Sequence, residues 1–267
     1  MSETVPLLRI ADVRMRFGGV IALGGVSFDV GHRQICGLIG PNGSGKTTLF
    51  NCVSGIYRFV EGDIVFEGKS LKDLPRHHMA GIGLGRTFQN VALFRNMSVR
   101  ENILVGGHNT ATSGYIANAL RLPIVREENR TAEKRLNELL DFVGLRDVAD
   151  VPAGAIPFGW QKRVELARAL MTRPKLLMLD EPAAGLNHSE VDDLAELMHR
   201  VRREMDLSIL LVEHHMSLVM RVSDKVVALE FGLKIADGTP TEVQNEPEVI
   251  RAYLGETQEE DAHAGVA

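Results

Sequence analysis

The chain has 267 residues, with 30 Lys+Arg against 35 Asp+Glu for a formal net charge of −5, and is 45% apolar and 24% charged. This balance excludes the disordered and fibrous classes, and the acidic excess argues against a main task of holding nucleic-acid phosphates, so no nucleic-acid partner is expected. No apolar run approaches the ~18 residues of a membrane-spanning helix, the Met-Ser-Glu-Thr-Val-Pro start lacks the layout of a signal peptide, and two cysteines, Cys36 and Cys52, fit a reduced intracellular chain without a disulfide framework.

Leu8 to Phe17 reads as a strand ahead of a Gly18-Gly19 turn, and Val26, Phe28 and Val30 alternate with Ser27 and Asp29 in the period of a half-exposed strand. Ile35 to Ile39 is a continuous apolar run. Ile64, Val65 and Phe66, followed by Gly68, predict a third strand of the first kind, making an antiparallel sheet with one solvated face. Between about Asn96 and Leu170 strand signals vanish. There Ser98-Val-Arg-Glu101 is a capping box opening a short helix, His108 to Gly114 reads as a loop, and Ala132, Leu136, Leu139, Leu140 and Val143 form a helical stripe that Gly144 closes. Leu176 to Leu179, Ile209 to Val212 and Val226 to Leu229 resemble Ile35 to Ile39, short apolar runs suited to parallel strands covered on both faces. A helix over about Ser189 to Met205 aligns Val191, Leu194, Met198 and Val201. The expected architecture is α/β: a parallel, helix-covered core with an N-terminal antiparallel β flap and an inserted all-helical subdomain over about 96–170. One domain spans 1–255, and a polar, frayed tail follows over 256–267.

The strongest chemical signal is Gly40-Pro-Asn-Gly-Ser-Gly-Lys46-Thr47, a complete G-x-x-x-x-G-K-[ST] pattern between an apolar strand and a helix running to about Gly55. Gly40, Gly43 and Gly45 let the backbone curl around Pro41, Asn42 and Ser44 so that N–H groups converge at a helix N-terminus and cradle phosphates. Lys46 adds a cation for the β- and γ-phosphates, the Thr47 hydroxyl is a Mg²⁺ ligand, and Thr48 reaches the α-phosphate side. The pattern resembles that of the P-loop NTPases, which implies a RecA-like type of core. A second apolar strand ends in Asp180-Glu181-Pro182. There Asp180 can hold Mg²⁺ and Glu181 can orient and polarise an attacking water.

These residues resemble the ATP-binding-cassette (ABC) ATPases over nearly the whole chain. The resemblance implies a glutamine loop at Phe88-Gln89, with Gln89 a catalytic and Mg²⁺-binding residue, and a signature segment at Ile156-Pro-Phe-Gly-Trp-Gln-Lys-Arg163. It further implies a loop across a dimer interface at Ala184-Gly185-Leu186-Asn187, and a switch histidine in Val212-Glu-His214-His215. His214 is favoured over His215 as the position following the apolar strand; a neutral imidazole there can bond the γ-phosphate and position Glu181 or its water. A zinc site from the pair is disfavoured, because neighbours on a helix do not face one point. Phe17 matches the aromatic that stacks on adenine. The signature departs from the usual Leu-Ser-Gly-Gly-Gln, with Pro157 for the serine, Phe158 for the first glycine and Trp160 for the glutamine, while Gly159 is kept as a donor to the ATP of the opposite subunit. Each hydrogen bond lost to a charged group costs about 1.5–3 kcal/mol, enough to weaken a closed dimer without abolishing it. Asn187 replaces the usual Asp with an uncharged group.

Within this family, Arg14-Met-Arg-Phe17-Gly-Gly-Val, Gly85-Arg-Thr-Phe-Gln89, Glu213-His214 and Pro247-Glu-Val-Ile-Arg-Ala-Tyr-Leu-Gly255 look like the ATPase subunits of branched-chain (hydrophobic) amino-acid importers. That resemblance implies ATP and Mg²⁺ as cofactors, transmembrane permease partners and a second ABC ATPase subunit, a heterodimer being preferred to a homodimer. It also implies an extracytoplasmic substrate-binding protein acting indirectly, and a position at the cytoplasmic face of the membrane through the permease. A groove after Gln89, with Phe94, Met97 and Val99 as candidate lining, would receive a permease helix. The rival expectation is a nucleotide-gated regulatory module with low turnover, favoured by Pro157 and Trp160.

Overall fold

The computed structural model describes residues 5–87, 92–108 and 123–253. The N-terminal half runs β1 (Leu8–Phe17), β2 (Val20–Val30), β3 (Ile35–Ile39), α1 (Lys46–Val53), β4 (Glu61–Phe66), β5 (Lys69–Ser70) and β6 (Leu84–Arg86). Among the described residues there follow α2 (Val99–Gly106), α3 (Pro123–Phe142) and α4 (Phe158–Leu170). The remainder is β7 (Leu176–Asp180), α5 (His188–Met205), β8 (Ser208–Val212), α6 (Met216–Val222), β9 (Lys225–Glu230), β10 (Leu233–Gly238) and α7 (Pro240–Gln244). A last helical stretch covers 247–253. Among the described residues no helix is long and apolar enough to cross a membrane.

The described residues form sheets ordered β2-β1-β4-β5 and β10-β9-β3-β8-β7-β6. In the second, β9, β3, β8, β7 and β6 are mutually parallel and β10 is antiparallel to β9. The continuous apolar runs are strands buried on both faces, because successive side chains point opposite ways. Ile35, Ile39, Leu177, Leu179, Ile209 and Leu211 enter one core with the helices. Cys36, Leu38, Leu176, Met178, Leu210 and Val212 enter the other, shared with α1 and the antiparallel sheet. That sheet has four strands rather than three, β5 being only two residues long. The patterning also missed β6 and β10. β6 is three residues, Leu-Gly-Arg, too short to carry a period, and β10 is an edge strand whose side chains are all at least partly exposed.

At the start of α2 both halves of the Ser98–Glu101 capping box are made. Fully buried Asn102 then donates to the carbonyls of Phe94, Met97 and Ser98 and accepts the Phe94 N–H, pinning the loop ahead of α2. Gly144 adopts φ 71° where α3 turns off, a left-handed conformation that glycine takes without strain. The expected loop at His108 to Gly114 lies outside the described residues beyond His108, and the tail 256–267 lies outside them entirely.

Both cysteines are buried and free, and burial pushes each thiol up to about 12. At pH 8 the thiolate fraction is then on the order of one in ten thousand. Native protein is expected to resist iodoacetamide at that pH and to take up two labels once denatured, as read by intact mass. Rapid labelling of folded protein would contradict this burial.

Candidate active site

The loop after β3 has the curl its glycines foretell: Gly40, Gly43 and Gly45 have φ of 147°, 77° and 100°. A Cβ at Gly40 would lie 2.1 Å from the Leu229 carbonyl, and one at Gly45 would lie 2.7 Å from that of Ala22, so the loop is wedged between β9 and β2. No side chain caps α1, whose first-turn N–H groups face the loop's concavity. Lys46 folds back over the loop, its Nζ donating to the carbonyls of Gly40 (2.6 Å) and Pro41 (2.8 Å). Ser44 Oγ is buried without a hydrogen-bond partner, an orphaned polar atom inside a cradle shaped for oxyanions. Thr47 is exposed at the rim and Thr48 half-buried; Asn42 is exposed at the tip. The Gly40 N–H is held from far away, donating at 2.8 Å to the Tyr253 hydroxyl of the last helical stretch.

Strand order decides what faces this cradle. β8 lies between β3 and β7, so the ends of all three strands open on one edge, the usual crevice of parallel α/β sheets. Asp180 ends β7 opposite Val212, and the Glu181 N–H donates to the Val212 carbonyl at 2.8 Å. Asp180 is 2% exposed, and Arg86 Nη2 approaches its Oδ2 at 3.3 Å. Burial pushes the Asp180 carboxyl above the usual carboxylate range; Arg86 opposes this, while Glu181 and Glu213 push the same way. Arg86 is itself fastened to Asn51 Oδ1 (2.8 Å) and Ser54 Oγ (2.6 Å) and stacked over Phe50. The sequence held no sign of this role for Arg86, because its partners lie on other elements. Among the described residues no three His, Cys, Asp or Glu side chains cluster as a metal site. One carboxylate and one hydroxyl, Asp180 and Thr47, nevertheless suit Mg²⁺, which prefers hard oxygens and takes much of its shell from phosphate and water.

His214 Nδ1 lies 4.0 Å from Glu181 Oε1 and 3.9 Å from Glu213 Oε2, with half of its side chain exposed. It does not directly follow the strand: β8 ends at Val212, and buried Glu213 intervenes. Nor are His214 and His215 on a helix. They precede α6, with ring centroids 4.7 Å apart. Glu213 went unassigned in the sequence, although a carboxylate closing an apolar strand, as Asp180 does, was the available signal.

Phe17 ends β1, 44% exposed, its ring edge-on to Tyr57 at 5.2 Å, a second aromatic that patterning did not single out. Pro157 is the N-cap of α4 and its carbonyl accepts the Trp160 and Gln161 N–H groups. Phe158 and Trp160 are exposed, whereas Gly159 is buried against the Glu190 carboxylate. The Phe158 ring also rests on Gly185, joining the signature segment to the loop before α5. Asn187 caps α5 in a reciprocal box with Glu190. Phe88 and Gln89 lie outside the described residues. A cleft of about 490 Å³ is lined in part by Arg86, Ala92, Phe94, Val105 and Arg168. Phe94 fits the expected lining, but Val99 does not: it is fully buried in the helical core, because the capping box turns it inward. Met97 is half-buried and does not line the cleft.

Comparisons with known proteins accord with this geometry. Residues 23–184 match the family described as ABC transporter, and residues 234–258 match that described as branched-chain amino acid ATP-binding cassette transporter. The chain is 45% identical over 251 residues to the high-affinity branched-chain amino acid transport ATP-binding protein BraF of Pseudomonas aeruginosa, covering 94% of this chain and 98% of that one. It is 43% identical, with the same coverage, to the corresponding protein LivG of Escherichia coli K12. Among solved structures, a nucleotide-free ATP-binding cassette from an ABC transporter superposes with a TM-score of 0.81 at 31% identity, covering 93% of this chain and 99% of that one.

Proposed function

The chain belongs to the ABC transporter family as an ATP-hydrolysing subunit, and on that premise we propose that it drives uptake of branched-chain or other hydrophobic amino acids through a separate permease. The observation that carries the catalytic part is the convergence of the Lys46 loop, the Asp180-Glu181 pair and His214 at the ends of adjacent strands β3, β7 and β8. Loop N–H groups and Lys46 bind the β- and γ-phosphates, with buried Ser44 Oγ available as a further donor. Glu181 orients a water and accepts its proton as the new O–P bond forms and the bond to ADP breaks. His214 lies where an imidazole can bond the γ-phosphate and hold Glu181 in place. Thr47, Gln89 and Asp180 would hold Mg²⁺, which supplies neutralisation of phosphate charge. Phe17 and Tyr57 offer the adenine a stacking surface.

A second cassette, preferably a sister chain, closes over the nucleotide. The exposed Phe158 and Trp160 belong to that face, and Gly159 is its donor to the opposite ATP. ATP drives the permease only if it binds the closed arrangement better than the open one. The cleft bearing Phe94 receives a permease helix and converts closure into permease movement, holding the chain at the cytoplasmic face of the membrane. The test is reconstitution in vesicles with permease, partner ATPase and binding protein. Uptake of labelled leucine is expected to require MgATP inside, and Phe94→Asp is expected to cut permease co-purification at least tenfold while nucleotide affinity of the free chain is kept. Undiminished co-purification would remove Phe94 from that contact. Pro157 and Trp160 favour a second reading, a regulatory module of low turnover, which the Glu181 experiment below separates from the first.

A further inference from the structure

Glu213 is 0% exposed, directly after β8. A carboxylate so enclosed is kept only where donors surround it. Its Oε1 accepts the Ala183 N–H at 2.8 Å, and its Oε2 accepts the N–H groups of His214 at 3.0 Å and His215 at 3.2 Å. These donors come from two loops. Ala183 stands two residues beyond Glu181, in a segment further tied by Ala184 N–H to the Glu181 carbonyl. His214 and His215 lead into α6. The β7–β8 ladder makes its last rung where the Glu181 N–H meets the Val212 carbonyl, after which the two chains part. Glu213 continues the connection past that rung, with a side chain in place of a backbone carbonyl.

We propose that Glu213 is a positioning residue whose carboxylate clamps the Glu181 loop to the His214 loop, so that the water-activating carboxylate and the γ-phosphate histidine keep their spacing and move as one unit. This rests on the roles given above to Glu181 and His214. The clamp requires a carboxylate. Three N–H donors converge on two acceptor oxygens, whereas a carboxamide offers one oxygen and turns its NH₂ toward the remaining donors. Glu213→Gln therefore keeps the side chain's shape and weakens the clamp.

The experiment compares the full-length wild type with Glu213→Gln and Glu213→Ala by steady-state ATPase kinetics, thermal melting and amide hydrogen exchange. Loss of charge-assisted hydrogen bonds predicts a kcat lower by about ten- to a hundredfold in Glu213→Gln, with KM for MgATP within about twofold. Exchange is expected to speed up at Ala183 and at His214 and His215 together. Three results overturn the proposal: an unchanged kcat, a loss confined to KM, or faster exchange spread over the whole chain with a matching fall in melting temperature. Were the wild type to hydrolyse no ATP, the functional reading would fail instead. The exchange data would still decide the clamp, paired acceleration in the two loops upholding it and unchanged exchange refuting it.

Discussion

Glu181→Gln is expected to lower kcat by about 10²- to 10⁴-fold, the range for removing a positioned general base, while ATP affinity changes little. The substitution is nearly isosteric, so the site's shape is preserved. Glu181 sits at φ 46° with its N–H committed to Val212, features that glutamine keeps. What is lost is the carboxylate beside His214 that the proposed mechanism uses as its proton acceptor. Phosphate release under single-turnover conditions measures it. A loss of less than tenfold would favour the regulatory-module reading, in which turnover is already slow.

Lys46→Ala is expected to weaken ATP binding by about a hundredfold or more. Each charge-assisted hydrogen bond to phosphate contributes about 1.5–3 kcal/mol, and Lys46 can make such bonds to two phosphates. Part of this is offset, because Nζ exchanges its present bonds to the Gly40 and Pro41 carbonyls for the new ones. The same bonds mean that alanine removes the Lys46 donor from two loop carbonyls, leaving Pro41 with the Ser44 N–H at 3.2 Å, so the loop loses preorganisation as well as charge. Calorimetric titration with a non-hydrolysable ATP analogue reads the change. A dissociation constant altered less than threefold would mean that the loop does not grip phosphate as its curvature implies.

Both variants act on features legible in the chain alone. The glycine spacing of 40, 43 and 45 was readable because each must take a positive φ, a constraint acting within one residue. The Asp180-Glu181 pair was readable because it closes an apolar run. The capping box at Ser98 was equally local and is made as expected. His214 is a candidate by its nearness to a strand end, but buried Glu213 stands between it and β8, and its burial is not visible in the chain alone. Val99 is buried rather than in the cleft, and the chain alone does not tell the two apart, because an apolar residue at a helix start has the same local appearance whether it faces a core or a groove.

The longer elements, the phosphate loop and the candidate reacting groups are readable in the chain, since they depend on backbone dihedrals and periodicities within a few residues, whereas β5, β6 and β10 are too short or too exposed to show a period. Which groups meet depends on contacts between distant parts of the chain. Arg86 reaches Asp180 across 94 positions, Ala183 reaches Glu213 across 30, and the Gly40 N–H finds Tyr253 across 213. Such partners leave no period in the chain. They come together because the parallel sheet inserts β8 between β3 and β7, and because buried charges and N–H groups must then find each other.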